Sequence, residues 1–376
     1  MCVIPSLEIG GAENQLVTTI NELATDNEIF LIVLSARVSL LAQVNLPRER
    51  ILILKKERLV TLSGNFLPSS FVAAFKISQF LRRKNVRLVI AHLPIAHWVC
   101  RLAVNICRAG LRKVHLVNYH HSMNVLSSDL LFSKLFIPIN KVLSHVSDAG
   151  NICVSNAVAK DIARFTHLKN QPVTIYNFAM DDRTNSNTLY LNKSGFWIVI
   201  PGRLEAVKGQ LHFIQNLISA FYFNEFSHLN LKFIFVGGGS HHLPMEELVR
   251  SKDWQSFFEI TGSVTHSEML SYMNHADLIV IPSLSEGLGV TAIEALMLGK
   301  PVLASDAGGL PEVVVPGKTG TLYKAGDAYE MIKCLKKVLL GDCRIDSDLQ
   351  REFYLKNFTR QQHIATLQQY LRTFSN

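Results

Sequence analysis

Ser285-Glu286-Gly287-Leu288-Gly289-Val290-Thr291-Ala292-Ile293-Glu294 joins a short apolar strand, Asp277 to Pro282, to a helix that opens near Val290 and stops at Gly299-Lys300-Pro301. Glycine at a helix exit with proline just beyond is a stop signal, because proline cannot continue the hydrogen-bond ladder. Gly287 and Gly289 let the backbone approach a ligand closely, and the N–H groups opening a helix favour an anion. Glu286 falls in the loop and Glu294 about two turns down the helix. One carboxylate can then meet hydroxyls at one end of a phosphate-bearing ligand and the other carboxylate those at the far end. A nucleotide sugar has that layout: ribose diols, diphosphate, sugar diols. Two solvated surface glutamates would give the same spacing. A glycosidase pair needs carboxylates ~5–10 Å apart, whereas this spacing spans roughly 10–12 Å of mostly helical rise. It suits a ligand held along its length.

The same strand–loop–helix unit recurs outward in both directions. Strand-like runs at Phe196–Ile200, Leu231–Val236, Phe257–Thr261, Pro301–Ser305 and Thr319–Tyr323 alternate with helical patterns at Lys208–Phe223, Pro244–Ser251, Ser267–His275 and Ala328–Leu340. The first half alternates less cleanly, with strands expected at Val3–Pro5, Ile29–Leu34, Ile51–Leu54, Leu88–Ala91, His115–Tyr119 and Asn151–Val154, and an amphipathic helix over Glu13–Ala24. Such alternation predicts an α/β protein with parallel sheets covered by helices on both faces. Asp181–Ser194 is polar and aperiodic, and reads as a linker between two doubly wound domains, residues 1–180 and 195–356. Facing domains of this kind form a cleft at the carboxyl ends of their strands, where such sheets take ligands.

The 376 residues are 48% apolar and 18% charged, a composition for two ordinary cores. No run reaches the ~18–20 apolar residues of a spanning helix, and the first residues lack a secretory pattern. The six cysteines (Cys2, Cys100, Cys107, Cys153, Cys334, Cys343) form no Cys-x-x-Cys pair and read as reduced thiols of a cytoplasmic protein. The net charge of +8 divides as +10 over residues 1–180 and −2 over 181–376. Arg82-Arg83-Lys84 with Arg87, and Lys55-Lys56 with Arg58, carry much of that excess. Without a nucleic-acid-binding motif, the charge points to a phosphorylated substrate or an anionic membrane. Apolar residues interleave with base around Phe66–Arg87. They read either as a surface helix leaning on a membrane or as core, with Phe71, Phe75 and Leu81 inside.

Other loops after strands carry chemistry. Gly10-Gly11-Ala12-Glu13 opens the first helix, where a diphosphate or sugar can approach, or makes a plain tight turn. Gly202-Arg203 with Lys208-Gly209 places a basic pair suited to a diphosphate, although loop cations are often merely solvated. Neither Gly10-Gly11 nor Gly237-Gly238-Gly239, which His241 and His242 follow, matches the dinucleotide fingerprint. His120 and His121 follow a strand and can hydrogen-bond a hydroxyl or phosphate, or assist proton transfer. Adjacent histidines project differently and no carboxylate cluster follows, so no metal is expected. His92, after the strand Leu88–Ala91, is a lesser candidate for the same role and reads first as a structural histidine.

Together, Gly10 to Glu13, Gly202-Arg203 with Lys208-Gly209, Val236-Gly237 with Gly239, Thr261-Gly262, Ser283 through Ala295, and Gly299 through Glu312 resemble glycosyltransferase family 4, whose members are retaining enzymes of the GT-B fold. The resemblance covers nearly the whole chain and is most specific between Arg203 and Gly320. It implies that Glu286 contacts donor-sugar hydroxyls, with the backbone of Gly287, Leu288, Gly289 and Val290 nearby. It further implies that Glu294 holds the ribose, Arg203 and Lys208 the diphosphate, and the segment around Gly262 and Val264 the base. His121, with His120 second, is similar to the family's acceptor-side histidine, and residues 357–376 to the last helix, which returns to the first domain. Members usually carry more residues before the first glycines, so Met1 enters the first strand near its end.

The implied activity is retaining transfer of a hexose-type sugar from a nucleoside diphosphate donor, expected to be UDP, without cofactor or metal. The acceptor is expected to be a glycan or a lipid-diphosphate-linked glycan in surface polysaccharide assembly, lipopolysaccharide included, at the inner face of the cytoplasmic membrane. Two rivals stand beside it. One is an epimerase or phosphorylase on the same fold; the other is a non-catalytic nucleotide-sugar-binding partner subunit.

Overall fold

Leu278–Ile281 is buried at every position, the pattern of a parallel strand covered by helices on both faces. The computed structural model describes residues 1–54, 66–110, 113–123, 130–164, 166, 169–183, 189, 191–220, 223–343 and 345–374. Lys55, Lys56 and Arg58, and residues 184–188 and 190 of the expected linker, lie outside them. One compact unit comprises Met1–Asn177 with His363–Asn376, the other Phe178–Gln362.

In the first unit the described strands are β1 (Cys2–Ile4), β2 (Leu31–Val33), β3 (Ile51–Ile53), β4 (Leu88–His92), β5 (His115–His120), β6 (Asp148–Cys153) and β7 (Val173–Thr174). All pair in parallel, in the order β3-β2-β1-β4-β5-β6-β7. The helices are α1 (Gly11–Leu23), α2 (Phe66–Arg83), α3 (Pro94–Ala109), α4 (Leu130–Ser147) and α5 (Asn156–Ile162). Successive crossovers from β3 to β4, β5 and β6 move in one direction across the sheet. Right-handed connections therefore put α2, α3 and α4 on one face and α1 on the other. Ala73, Ala74, Ile77 and Leu81 of α2 pack with Val99, Ala103 and Val104 of α3 in the core. Leu81 is thus core as one reading expected, but Phe71 and Phe75 are each 54% exposed. They lie on the opposite side of α2 from Ile77 and Leu81.

The second unit holds β8 (Phe196–Pro201), β9 (Leu231–Val236), β10 (Phe258–Ile260), β11 (Leu278–Ile281), β12 (Val302–Ser305) and β13 (Thr321–Tyr323), parallel in the order β10-β9-β8-β11-β12-β13. Its helices are α6 (Gln210–Ala220), α7 (His242–Ser251), α8 (His266–His275), α9 (Val290–Met297), α10 (Leu310–Val313), α11 (Ala328–Leu339) and α12 (Ser347–Asn357). Local caps explain several starts. Thr265 and Glu268 form a capping box at α8, and Asp327 Oδ1 accepts the Glu330 amide at 2.9 Å to open α11. Two doubly wound parallel α/β units are the fold class expected from the alternation.

Some elements escaped the sequence. The two-residue β7 is too short for a period, and α12 buries Gln350 and Tyr354 rather than a leucine stripe. The helix expected from Asn357 begins at Arg360 as α13 (Arg360–Arg372), because Asn357 ends α12 and Phe358 is non-helical. All six cysteines are free thiols, four buried and Cys334 and Cys343 half-buried. Among the described residues no helix is long and apolar enough to cross a membrane.

Candidate active site

The strand order of the second sheet reverses between β8 and β11, and such a switch point opens a crevice at the carboxyl ends of the strands. The loops leaving these two strands carry Arg203, Lys208 and Glu286. Leu284 and Ser285 donate their amides to the Val207 carbonyl at 2.8 and 3.2 Å, tying the loops together. Lys208, in a short 3₁₀ turn, reaches across with Nζ 2.6 Å from Glu286 Oε2. Ser283 Oγ donates to the same oxygen at 3.2 Å, and the Ser283 carbonyl accepts from Ser305 at 2.5 Å. The carboxylate is therefore aimed by a cation and a hydroxyl, each on a short tether.

The backbone under Glu286 is equally constrained. Gly309 donates its amide to the Glu286 carbonyl at 3.2 Å. Gly308 has φ +56, and a Cβ there would lie 1.8 Å from that carbonyl oxygen, so no side chain fits. Gly289, with φ +95, precedes α9 and supplies no side-chain cap. The first-turn amides of a helix lack intrahelical partners and suit an anion. Leu288 is buried. Arg203 is exposed, its carbonyl held by Gln210 Nε2 at 3.0 Å. Gly262 (φ +73) and Val264 occupy the loop after β10, and Gly262 bridges to Gly237 after β9.

Glu294 is buried on α9, with His266 Nε2 3.6 Å from Oε1. Burial raises its pKa to about 7, outweighing the opposing pull of His266 and Lys208, while Asp182 adds to the rise. The sequence reading did not find His266; it lies just beyond the Thr261–Gly262 motif, and only tertiary proximity links it to Glu294. The folded carboxyl keeps its proton to about 7 and the ordinary group only to 4.5. The native state thus holds the extra proton in that window, and stability falls as pH rises through it before levelling off above. Replacing Glu294 by Gln is expected to flatten this slope and add up to about 3 kcal/mol near pH 8. Urea midpoints from pH 4.5 to 8 for both proteins check it; parallel curves would contradict the assignment.

The first sheet also reverses, between β1 and β4. Gly10 and Gly11 stand at the start of α1 in the connection leaving β1. His92 ends β4 and His120 ends β5, with His121 next. His121 Nε2 lies 2.9 Å from His92 Nδ1, and both rings stack on Tyr119, at centroid separations of 4.5 and 5.1 Å. His120 Nε2 is instead occupied by Asn151 Oδ1 at 3.0 Å. Burial lowers the pKa of all three: to about 3 for His92, to about 4 for His120, and well below the ordinary value for His121, where neighbouring imidazoles add to the effect. A neutral His121 can donate or accept a hydrogen bond but carries no cation. Its Nδ1 is buried and has no partner among the described residues. His92, read as structural, is the group that orients it. Among the described residues no cluster of three or more His, Cys, Asp or Glu is placed to hold a metal ion.

Two family models match nearly end to end: Glycosyltransferase Family 4 over residues 9–183 and Glycosyl transferases group 1 over residues 181–354. The chain is 28% identical over 266 residues to an uncharacterized glycosyltransferase of Methanocaldococcus jannaschii, covering 70% of this chain and 68% of that protein. It is 32% identical over 118 residues to the 2-deoxystreptamine N-acetyl-D-glucosaminyltransferase of Niallia circulans, a stretch covering 31% of this chain and 30% of that relative. Among solved structures, Anabaena HepE in complex with UDP superposes with TM-score 0.77 at 19% identity, covering 99% of each chain. The sucrose-phosphate synthase of Thermosynechococcus elongatus superposes with TM-score 0.78 at 19% identity, covering 99% of this chain and 98% of that one. Both likenesses concern the fold, which is GT-B. With two sequence models meeting at residues 181–183 and a fold shared along the whole chain, the protein belongs to the group 1 glycosyltransferases of glycosyltransferase family 4.

Proposed function

We propose that the protein transfers a hexose-type sugar from a UDP-sugar to a hydroxyl of a glycan or lipid-diphosphate-linked acceptor, with retention at the anomeric carbon. The setting is surface polysaccharide assembly, of the lipopolysaccharide type, at the inner face of the cytoplasmic membrane. The observation that carries this reading is the Lys208–Glu286 pair at 2.6 Å beside the N-terminus of α9, at the switch point of its sheet. Glu286 takes donor-sugar hydroxyls, with the backbone of Gly287 to Val290 beside it. Arg203, Lys208 and the α9 amides take the diphosphate, Glu294 the ribose diol, and the loop at Gly262 and Val264 the base. His121, with His120 second, serves the acceptor, and Gly10 and Gly11 leave room for the donor at the start of α1.

In the reaction the bond from the anomeric carbon to the β-phosphate oxygen breaks, and the acceptor oxygen bonds to the same face of that carbon. The acceptor proton passes to the departing diphosphate. Arg203, Lys208 and the helix dipole stabilise the charge gathering there, which is the larger electrostatic contribution. No bound cofactor is required by this scheme.

The test is a thermal-shift screen of nucleotide sugars followed by a donor-hydrolysis assay. UDP and UDP-hexoses should raise the melting temperature, and the chain should slowly hydrolyse the donor it prefers. A binder that never turns over would instead be the non-catalytic partner subunit. Stabilisation by no nucleotide sugar would overturn the reading.

A further inference from the structure

The outer layer of the first unit is built from three helices that contain no carboxylate. Neither Asp nor Glu occurs in α2, α3 or α4, nor anywhere from Arg58 to Ser128. Asp148, just after α4, is buried and committed to Arg101. Lys76, Arg82 and Arg83 are exposed along α2, and Lys141 lies half-exposed on α4. The same layer turns large apolar side chains to water. On α2 these are Phe71, Val72 and Phe75; on α4 they are Ile139, Val142 and Val146, with Val142 64% exposed. Both sets follow helical spacing, so each is a stripe along its helix. α3 packs between the two helices and adds the half-buried Leu102 and Ile106.

An apolar stripe normally turns inward, and α2 already sends Ile77 and Leu81 there. Its second stripe is therefore surplus to the core. A second copy of the chain is a poor occupant, because a face that shows no exposed carboxylate on α2, α3 or α4 among the described residues would meet its own positive charge in a two-fold contact. An anionic bilayer offers both complements at once, phosphate headgroups for the cations and acyl chains for the rings. We infer that the α2–α4 face of the first unit is a monotopic docking surface for an anionic phospholipid bilayer, with Phe71 and Phe75 as the inserted wedge and Lys76 and Arg83 as headgroup contacts. This deepens the reading of a membrane-borne acceptor, but the binding itself needs neither donor nor acceptor. Its failure would leave the transfer reaction standing.

Vesicle co-sedimentation of the whole chain, without nucleotide, tests the inference. Vesicles of phosphatidylglycerol with phosphatidylcholine should bind at least about tenfold better than phosphatidylcholine alone, and the binding should weaken with salt. The double variant Phe71→Ser/Phe75→Ser should lose about tenfold or more while remaining salt-sensitive. Lys76→Glu/Arg83→Glu should lose a similar amount and most of the salt sensitivity. These side chains face water, so both variants should melt with the parent, and Tyr329→Ser, an exposed aromatic on α11, should bind as the parent does. Equal binding to neutral vesicles, or parental binding by both double variants, would overturn the assignment. So would a parent dimer on size exclusion, dissolved by Phe71→Ser/Phe75→Ser, with no vesicle binding. RNA binding lost in these variants, again without vesicle binding, would do the same.

Discussion

Glu286→Ala is expected to lower kcat for sugar transfer by about 10²–10³, with donor affinity changing far less. The carboxylate sits in a fixed frame: Lys208 Nζ at 2.6 Å, Ser283 Oγ at 3.2 Å and its own carbonyl held by Gly309 at 3.2 Å. A group aimed before substrate arrives costs nothing to reorganise as charge develops on the sugar ring. Alanine removes it and leaves Lys208 without its partner, which would draw the ammonium toward the diphosphate and preserve binding. Glu286→Gln keeps the shape and loses the charge, so it separates positioning from electrostatics. Circular dichroism should show the fold intact, since the pair is only partly buried. Initial rates with the preferred nucleotide sugar decide the matter; a change within threefold would remove Glu286 from the reaction.

Arg101→Met is expected to cost about 3–5 kcal/mol of the first unit's stability. Arg101 is almost wholly enclosed and fork-bonded to Asp148, Nε to Oδ1 at 2.9 Å and Nη2 to Oδ2 at 2.7 Å, with Nη1 on Asn140 Oδ1 at 2.5 Å. The methionine would strand a buried carboxylate with no cation. Removing both charges in Arg101→Met/Asp148→Leu should recover most of the loss, because the penalty belongs to the orphaned ion rather than to the missing pair. Urea midpoints of the two variants measure it, and a single-variant loss under about 1 kcal/mol would contradict the burial argument.

The expected strands and helices proved legible wherever local chemistry is strong. Asp277–Pro282 reads as a strand because four consecutive apolar residues lie between Asp and Pro, and Leu278–Ile281 forms one. The stop at Gly299-Lys300-Pro301 is matched by α9 ending at Met297. Weak local signals failed: β7 is two residues long, and α12 has no apolar period to display. Arg203, Lys208, Glu286 and His121 were visible as polar groups in segments after strands and Glu294 as a carboxylate two turns into a helix, but their partners were not. Lys208 and Glu286 lie 78 positions apart, and His92 and His121 lie 29 apart. The exposure of Phe71 and Phe75 was equally hidden, since one helical period fits a core stripe and a surface stripe alike.

From the chain's own order of residues came the α/β alternation, the glycine-bounded loops and the choice of Arg203, Lys208, Glu286 and Glu294 as groups to watch. Those features depend on neighbours a few positions away, whose sterics and hydrogen bonds act whatever the rest of the chain does. Tertiary structure alone decided that Lys208 pairs with Glu286, that His92 orients His121, and that Glu294 keeps its proton to about 7. Pairing and desolvation are set by which strands lie side by side and how much protein closes over a group. No local pattern carries that information.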